Sequence, residues 1–235
     1  MKIDLAKKFK KDFFDIIKMV GTAADKKKLS AYIVGGLVRD MLLSVKNYDL
    51  DFVIEDDAIE FARDLNRRLK GDLKTHRAFG TATISLKGIR LDIVTARQEI
   101  YKRPAAYPDV EPATIKEDLF RRDFTINAMA VSINKKSFGE IVDFHDSCKD
   151  LKKKLIRVMH DKSFMDDPTR IFRAVRFSVR FGFKIEPHTR KLIKDAILKG
   201  MLGKVNRGRI RKEMRLLSKE KSPLKCMQAF SRLTQ

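Results

Sequence analysis

The first apolar pattern in the chain is helical and basic. In IDLAKKFKKDFFDIIKMV, residues 3–20, apolar residues recur at helical spacing among lysines, which predicts an N-terminal helix. That helix could pack on a core or lie on an anionic membrane surface, and the pattern fits both. LSAYIVGGLVRDMLL follows, predicting a short strand over Ala31–Val34, a glycine turn, and a helix from about Leu37. YDLDFVIE reads as a strand. In DDAIEFARDLNRRLK, Ile59, Phe61, Ala62, Leu65 and Leu69 fall near a 3.6 period, and the acids at its start suit a helix N-terminus. ATISL and IRLDIVTA read as strands joined by a hairpin at Lys87-Gly88. Residues 104–112, PAAYPDVEP, hold three of the six prolines and predict an extended loop. FTINAMAVSI and GEIVDF are apolar enough for helix or strand. From Leu151 onward the pattern is helical: IFRAVRFSVRF, TRKLIKDAILKG, RGRIRKEMRLLSK. The layout is α+β: a mixed β-sheet head with helices over residues 1–150, followed by a small all-α neck over 151–235.

Charge sharpens that division. The 235 residues carry 52 Lys plus Arg against 31 Asp plus Glu, a net +21. From Lys149 to Gln235 there are 25 basic and 8 acidic residues, or +17, leaving +4 for the first 148. A near-balanced head and a strongly basic C-terminal part point to a polyanionic partner, nucleic acid before a membrane surface. No run approaches the ~20 apolar residues of a membrane span, and no signal-peptide core follows Met1. No membrane and no obligate protein partner is expected. Cys148 and Cys226 have neither metal-ligand spacing nor a disulfide framework, so a reducing cytoplasm is the expected compartment.

Five stretches carry candidate chemistry. Asp49 and Asp51 stand at i and i+2 of the YDLDFVIE strand, on one face, where two carboxylates are either a solvated strand start or a cradle for a divalent cation. Ahead of them, Gly35 and Gly36 between strand and helix are either a plain tight turn or a place where backbone approaches a phosphate, with Arg39 one turn into the helix. Asp92, inside the apolar strand IRLDIVT, needs a partner. It is either salt-bridged to Arg90 or Arg97, or a third carboxylate beside Asp49 and Asp51, together holding two Mg²⁺ ions for phosphoryl transfer. In LFRRDFTINAMA, Arg121, Arg122, Asp123 and Asn127 are either a capped helix start with surface arginines or a phosphate- and ribose-binding set. A helix would put Asp123 and Asn127 on one face. In DDPTRIFRAVRFSVRFGF, Pro168 suits a first helical turn with Asp166 or Asp167 near the N-cap. Arg170, Arg173, Arg176 and Arg180 make a stripe, either a solvated basic face or, with Asp167 one turn from Arg170, a pair for reading base edges.

Taken in order, these residues resemble the class II tRNA nucleotidyltransferase and bacterial poly(A) polymerase family. GGLVRD followed by DLD is similar to its catalytic motif. FGTA at 79–82, DIVTAR at 92–97 and PAAYPDVEPATIKEDLFRRDFTINAMA resemble its head, and DDPTRIFRAVRF its neck, with Asp166 standing where the motif usually has Glu. The resemblance covers about residue 31 to at least 185. It implies that Asp49 and Asp51 ligate Mg²⁺, that Gly36, Arg39 and Arg122 bind the triphosphate, and that Asp123 and Asn127 bind the ribose region. It implies that Asp167 and Arg170, supported by Arg173 and Arg176, select CTP and ATP without a nucleic-acid template, for addition to a tRNA 3′ end. Family members are CCA-, CC-, A- or poly(A)-adding, and the shared motifs leave the type open. A non-catalytic RNA-binding protein on the same scaffold is the alternative. Family chains usually continue through further helical domains, so this sequence is expected to be a fragment or an unusually short member.

Overall fold

The computed structural model describes residues 1–86 and 88–234. In chain order the elements are α1 (Leu5–Lys8), α2 (Lys11–Lys27), β1 (Ala31–Val34), α3 (Gly36–Leu42), β2 (Leu50–Ile54), α4 (Ala58–Leu69), β3 (Asp72–His76), β4 (Thr81–Leu86), β5 (Ile89–Thr95), β6 (Arg97–Ile100), β7 (Asp109–Pro112) and α5 (Ile115–Phe120). Then come β8 (Ala130–Ser132), β9 (Ile141–Val142), α6 (Ser147–Lys152), β10 (Leu155–Ile156), α7 (Ser163–Asp166), α8 (Arg170–Phe181), β11 (Lys184–Ile185), α9 (Pro187–Leu198), α10 (Arg207–Ser218) and α11 (Pro223–Thr234). They form two compact units. The first contains residues 1–98, 110–122 and 127–144; the second contains 99–109, 123–126 and 145–235. The expected cut near 150 therefore has two earlier stretches, 99–109 and 123–126, going with the second unit.

The first unit is built on a seven-stranded sheet in the order β3-β4-β5-β2-β1-β8-β9. Only β2 and β5 are parallel, with Leu50 opposite Leu91, Asp51 opposite Asp92 and Phe52 opposite Ile93. Burial selects this arrangement: Ile33, Leu50, Phe52, Ile54, Phe61, Leu65 and Ile84 are all fully buried, joining the sheet to α4. Asp57 starts α4 by accepting the amide protons of Ile59 and Glu60, at 2.8 and 3.0 Å. Helix α2, which pairs with α4 through Lys27 and Asp64, buries Ile16, Ile17, Val20 and Ala24, so its apolar face is taken by the core. Gly21 lets that helix close on the sheet, since a Cβ there would lie 2.1 Å from the Ile133 carbonyl oxygen.

The second unit is mostly helical, with one two-residue parallel pairing between β10 and β11. Helix α8 buries Ile171, Phe172, Ala174, Val175 and Phe177. Phe172 stacks on Phe230 at 5.1 Å, and Phe124 meets Phe177 edge-on at 6.0 Å. Among the described residues no helix is long and apolar enough to cross a membrane.

Several expected elements change. The N-terminal helix is two helices, because Phe9 turns extended (φ −118°) to bury its ring. Strand β3 was not anticipated. The loop at 104–112 ends in β7. FTINAMAVSI is neither one helix nor one strand but a 3₁₀ turn over Thr125–Asn127 followed by β8. The β4–β5 hairpin forms as expected, with Gly88 at φ +83°; Lys87 lies outside the described residues.

Candidate active site

In the first unit, β1 is followed by Gly35, whose φ of +66° is the left-handed region. A Cβ on Gly35 would lie 2.4 Å from Nη1 of Arg122, so the glycine is also what lets that guanidinium approach the turn. Gly36 begins α3, and Arg39 is buried one turn on. Its Nε donates to Asp40 at 2.8 Å and its Nη1 to the Asn127 side-chain oxygen at 2.5 Å. Arg122 donates to Asp118 at 2.8 Å, and its buried Nε has no hydrogen-bond partner among the described residues. Asp118 is fully buried on α5 and is shared with Arg121 at 2.6 Å. Burial pushes its carboxyl up, but the two guanidiniums outweigh that and hold it below its ordinary value.

Beside this basic group stand the carboxylates. Asp51 on β2 faces Asp92 on β5 across the parallel register. Burial first, then repulsion from Asp92, push the Asp51 carboxyl up from its ordinary 3.8 to about 6, with Arg122 pulling the other way. Asp92 accepts from Thr83 Oγ1 at 2.5 Å and pairs with Arg90 at 2.9 Å. Asp49 lies one residue before β2, exposed, its amide N–H donated to the Asn47 side chain at 2.9 Å. Neither the Asp49 nor the Asp51 side chain has a hydrogen bond or ion pair among the described residues.

In the second unit, Asp123 is buried and paired with Arg173, whose Nε and Nη2 both lie 2.7 Å from one carboxylate oxygen. Asp167 accepts from the Thr169 amide and hydroxyl at 2.9 and 2.6 Å, and from Arg209 at 2.7 Å. Arg209 also donates to the Ala105 carbonyl at 3.1 Å. Arg170 is buried and donates to Ser163 Oγ at 2.7 Å. Arg176, 6% exposed, pairs with Glu213 at 2.9 Å and Glu220 at 3.1 Å.

The poly A polymerase head domain family matches residues 31–157. The chain belongs to that family. Over 202 residues it is 48% identical to the A-adding tRNA nucleotidyltransferase of Aquifex aeolicus, covering 86% of this chain and 24% of that protein. A solved CCA-adding enzyme in an apo form superposes with a TM-score of 0.94 at 46% identity, covering 97% of this chain and 54% of that one. The Thermotoga maritima CCA-adding enzyme complexed with tRNA superposes with a TM-score of 0.87 at 43% identity, covering 97% and 52%. The chain thus spans between a quarter and about half of the length of these relatives.

Within this poly A polymerase head domain, the structure brings Gly35, Gly36, Arg39, Arg122 and Asn127 together, and places Asp51 beside Asp92. Other expectations are corrected. Asp49 lies one residue before the strand, and its charge still acts on Asp51. Asp123 and Asn127 share no helix face, because the chain there is a 3₁₀ turn and the two belong to different units. The salt bridge expected for Asp92 is present, with Arg90 as the partner. Among the described residues no three His, Cys, Asp or Glu side chains group to hold a metal ion. The assigned span of α8 begins at Arg170, but Asp167 stands near the N-cap as expected: it is extended (φ −134°), and its carboxylate accepts the amide of Thr169, two residues on. The arginine stripe is not a solvated face: each of its four members has a side-chain partner, Arg180 on Glu220. Asp118, Asp40 and Arg209 were missed. The spacing of Asp118 three and four residues before Arg121 and Arg122 was a usable signal; Arg209 gave none, since its partner is 42 residues away.

Proposed function

We propose that this chain carries the nucleotidyl-transfer site of a template-independent tRNA nucleotidyltransferase, which adds CMP, AMP or both from CTP and ATP to a tRNA 3′ end and releases pyrophosphate. The observation that carries the reading is Asp51. Its carboxylate is partly buried, unpartnered, set against Asp92, and raised to about 6. Hard, unpartnered carboxylate oxygens that repel one another fit a divalent cation, and Mg²⁺ is commonly held by one or two carboxylates with substrate phosphates completing its shell. Asp49 and Asp51 would be those ligands for one or two Mg²⁺ ions, with Asp92, anchored by Thr83 and Arg90, setting the field at Asp51. When bound, the metal would lower the pKa of the attacking 3′-hydroxyl and neutralise phosphate charge.

The protein's own groups supply the rest. Arg39 and Arg122 present guanidiniums for a triphosphate, and the bare Cα atoms of Gly35 and Gly36 leave it room. Asn127 orients Arg39 and would bind ribose; Asp123, held by Arg173, is the second residue proposed for ribose binding. Asp167 and Arg170 offer an acceptor and a donor fork suited to base edges. Arg173 and Arg176 would support them by fixing α8. The names of the relatives support tRNA as the acceptor, and Cys148 and Cys226, neither in a disulfide among the described residues, are compatible with a cytoplasmic setting.

Titration calorimetry of ATP and CTP tests the site. Binding should tighten at least about tenfold with Mg²⁺, and Asp51→Asn should remove that dependence. Nucleotide binding indifferent to metal would leave a basic RNA-binding protein on this scaffold.

A further inference from the structure

Asp49 is the one candidate ligand that the sheet does not fix. Pairing begins at Leu50, and the six residues from Ser44 to Asp49 are loop. What ties this loop down is Asp40. Its backbone oxygen accepts the Val45 amide at 2.8 Å, and its carboxylate oxygen Oδ2 accepts Asn47 Nδ2 at 2.8 Å. The other carboxylate oxygen, Oδ1, takes Arg39 at 2.8 Å. Asn47 passes the constraint on, because its side-chain oxygen accepts the Asp49 amide at 2.9 Å. Asp40 is 6% exposed and its bond to the half-buried Asn47 is partly shielded from water, whereas the bond from Asn47 to Asp49 lies at the surface. A continuous hydrogen-bonded chain therefore runs Asn127–Arg39–Asp40–Asn47–Asp49.

We propose that Asp40 and Asn47 are positioning residues that hold Asp49 at the metal site and tie its placement to that of the arginine offered to the triphosphate. The inference rests on the reading of Asp49 as a metal ligand. It explains why a buried carboxylate sits directly beside Arg39: Asp40 neutralises the guanidinium and also anchors the following loop. Partners one bond removed from a ligand change metal affinity by about 10–100-fold when lost. Tyr48, whose ring lies 5.1 Å from Phe13, anchors the loop independently, so loss of Asn47 should loosen Asp49 without unfolding the loop.

The test is Mn²⁺ binding to the whole chain, followed by electron paramagnetic resonance without nucleotide or RNA, on wild type, Asp49→Ala, Asn47→Ala and Asn47→Ser. Asn47→Ala should weaken Mn²⁺ about tenfold or more while the melting temperature stays near wild type. Asn47→Ser keeps an oxygen for the Asp49 amide but loses the bond to Asp40, and should fall between the two. The Mg²⁺ concentration for half-maximal nucleotide transfer should rise by the same factor. If wild type binds Mn²⁺, Asp49→Ala does not, and both Asn47 variants match wild type, the positioning role is overturned and the site stands. If Asp49→Ala binds Mn²⁺ like wild type, the site reading itself fails.

Discussion

Asp51 bears its charge against its surroundings. A carboxyl raised from 3.8 to about 6 holds its proton more tightly in the folded state than in the unfolded chain, so ionisation destabilises the fold. The penalty is absent below about pH 4, builds between pH 4 and 6, and is complete above that. Two pKa units correspond to roughly 3 kcal/mol, which partial solvent screening reduces to about 1–2. Asp51→Asn should therefore be about 1–2 kcal/mol more stable than wild type in metal-free buffer at pH 7, with the gain vanishing near pH 4, and should not transfer nucleotides. Urea melts at the two pH values check this; a less stable variant at pH 7 would contradict it. Gly35→Ala carries the opposite sign. Its left-handed φ and the close Arg122 guanidinium predict a loss of about 1–3 kcal/mol, readable as a lower denaturation midpoint. At this scale the sequence was most legible where chemistry follows chain spacing, as for Gly35, Arg39 and Asp51. It was least legible at Asp49, because strand onset is decided by pairing with β5 and not by the DLD spacing.

Helix α8 shows how far periodicity reads. Its apolar stripe was legible, and its register follows from it. The fate of its arginines was not, because Arg176 meets Glu213 and Glu220 at separations of 37 and 44 residues. Arg176→Met leaves two carboxylates short of a buried partner and should cost about 3–5 kcal/mol, read as a lower denaturation midpoint. Arg170→Met should instead lower discrimination of ATP and CTP against GTP and UTP by about tenfold or more, measured as ratios of kcat/KM. Unchanged ratios would remove Arg170 from base selection. Strand β3 escaped notice for a related reason: DLKTH sits at the sheet edge with its residues exposed or half-buried, so it offers no apolar run.

Over the whole molecule, the +17 carried by residues 149–235 was visible in composition, whereas the interleaving of the two units was not. Segments 99–109 and 123–126 are too short to show a compositional shift. That basic surplus predicts RNA affinity falling linearly on a log–log plot against salt, and a flat plot would refute phosphate contacts as its source. Most direct is extension of tRNA ending at its discriminator base, at C and at CC, with Mg²⁺ and each labelled nucleotide alone or together. Transfer of CMP, AMP or both by wild type, abolished in Asp49→Ala, is the predicted result, and the pattern of additions names the type. No addition to any of these ends, with Asp49→Ala indistinguishable from wild type, would contradict the proposed activity.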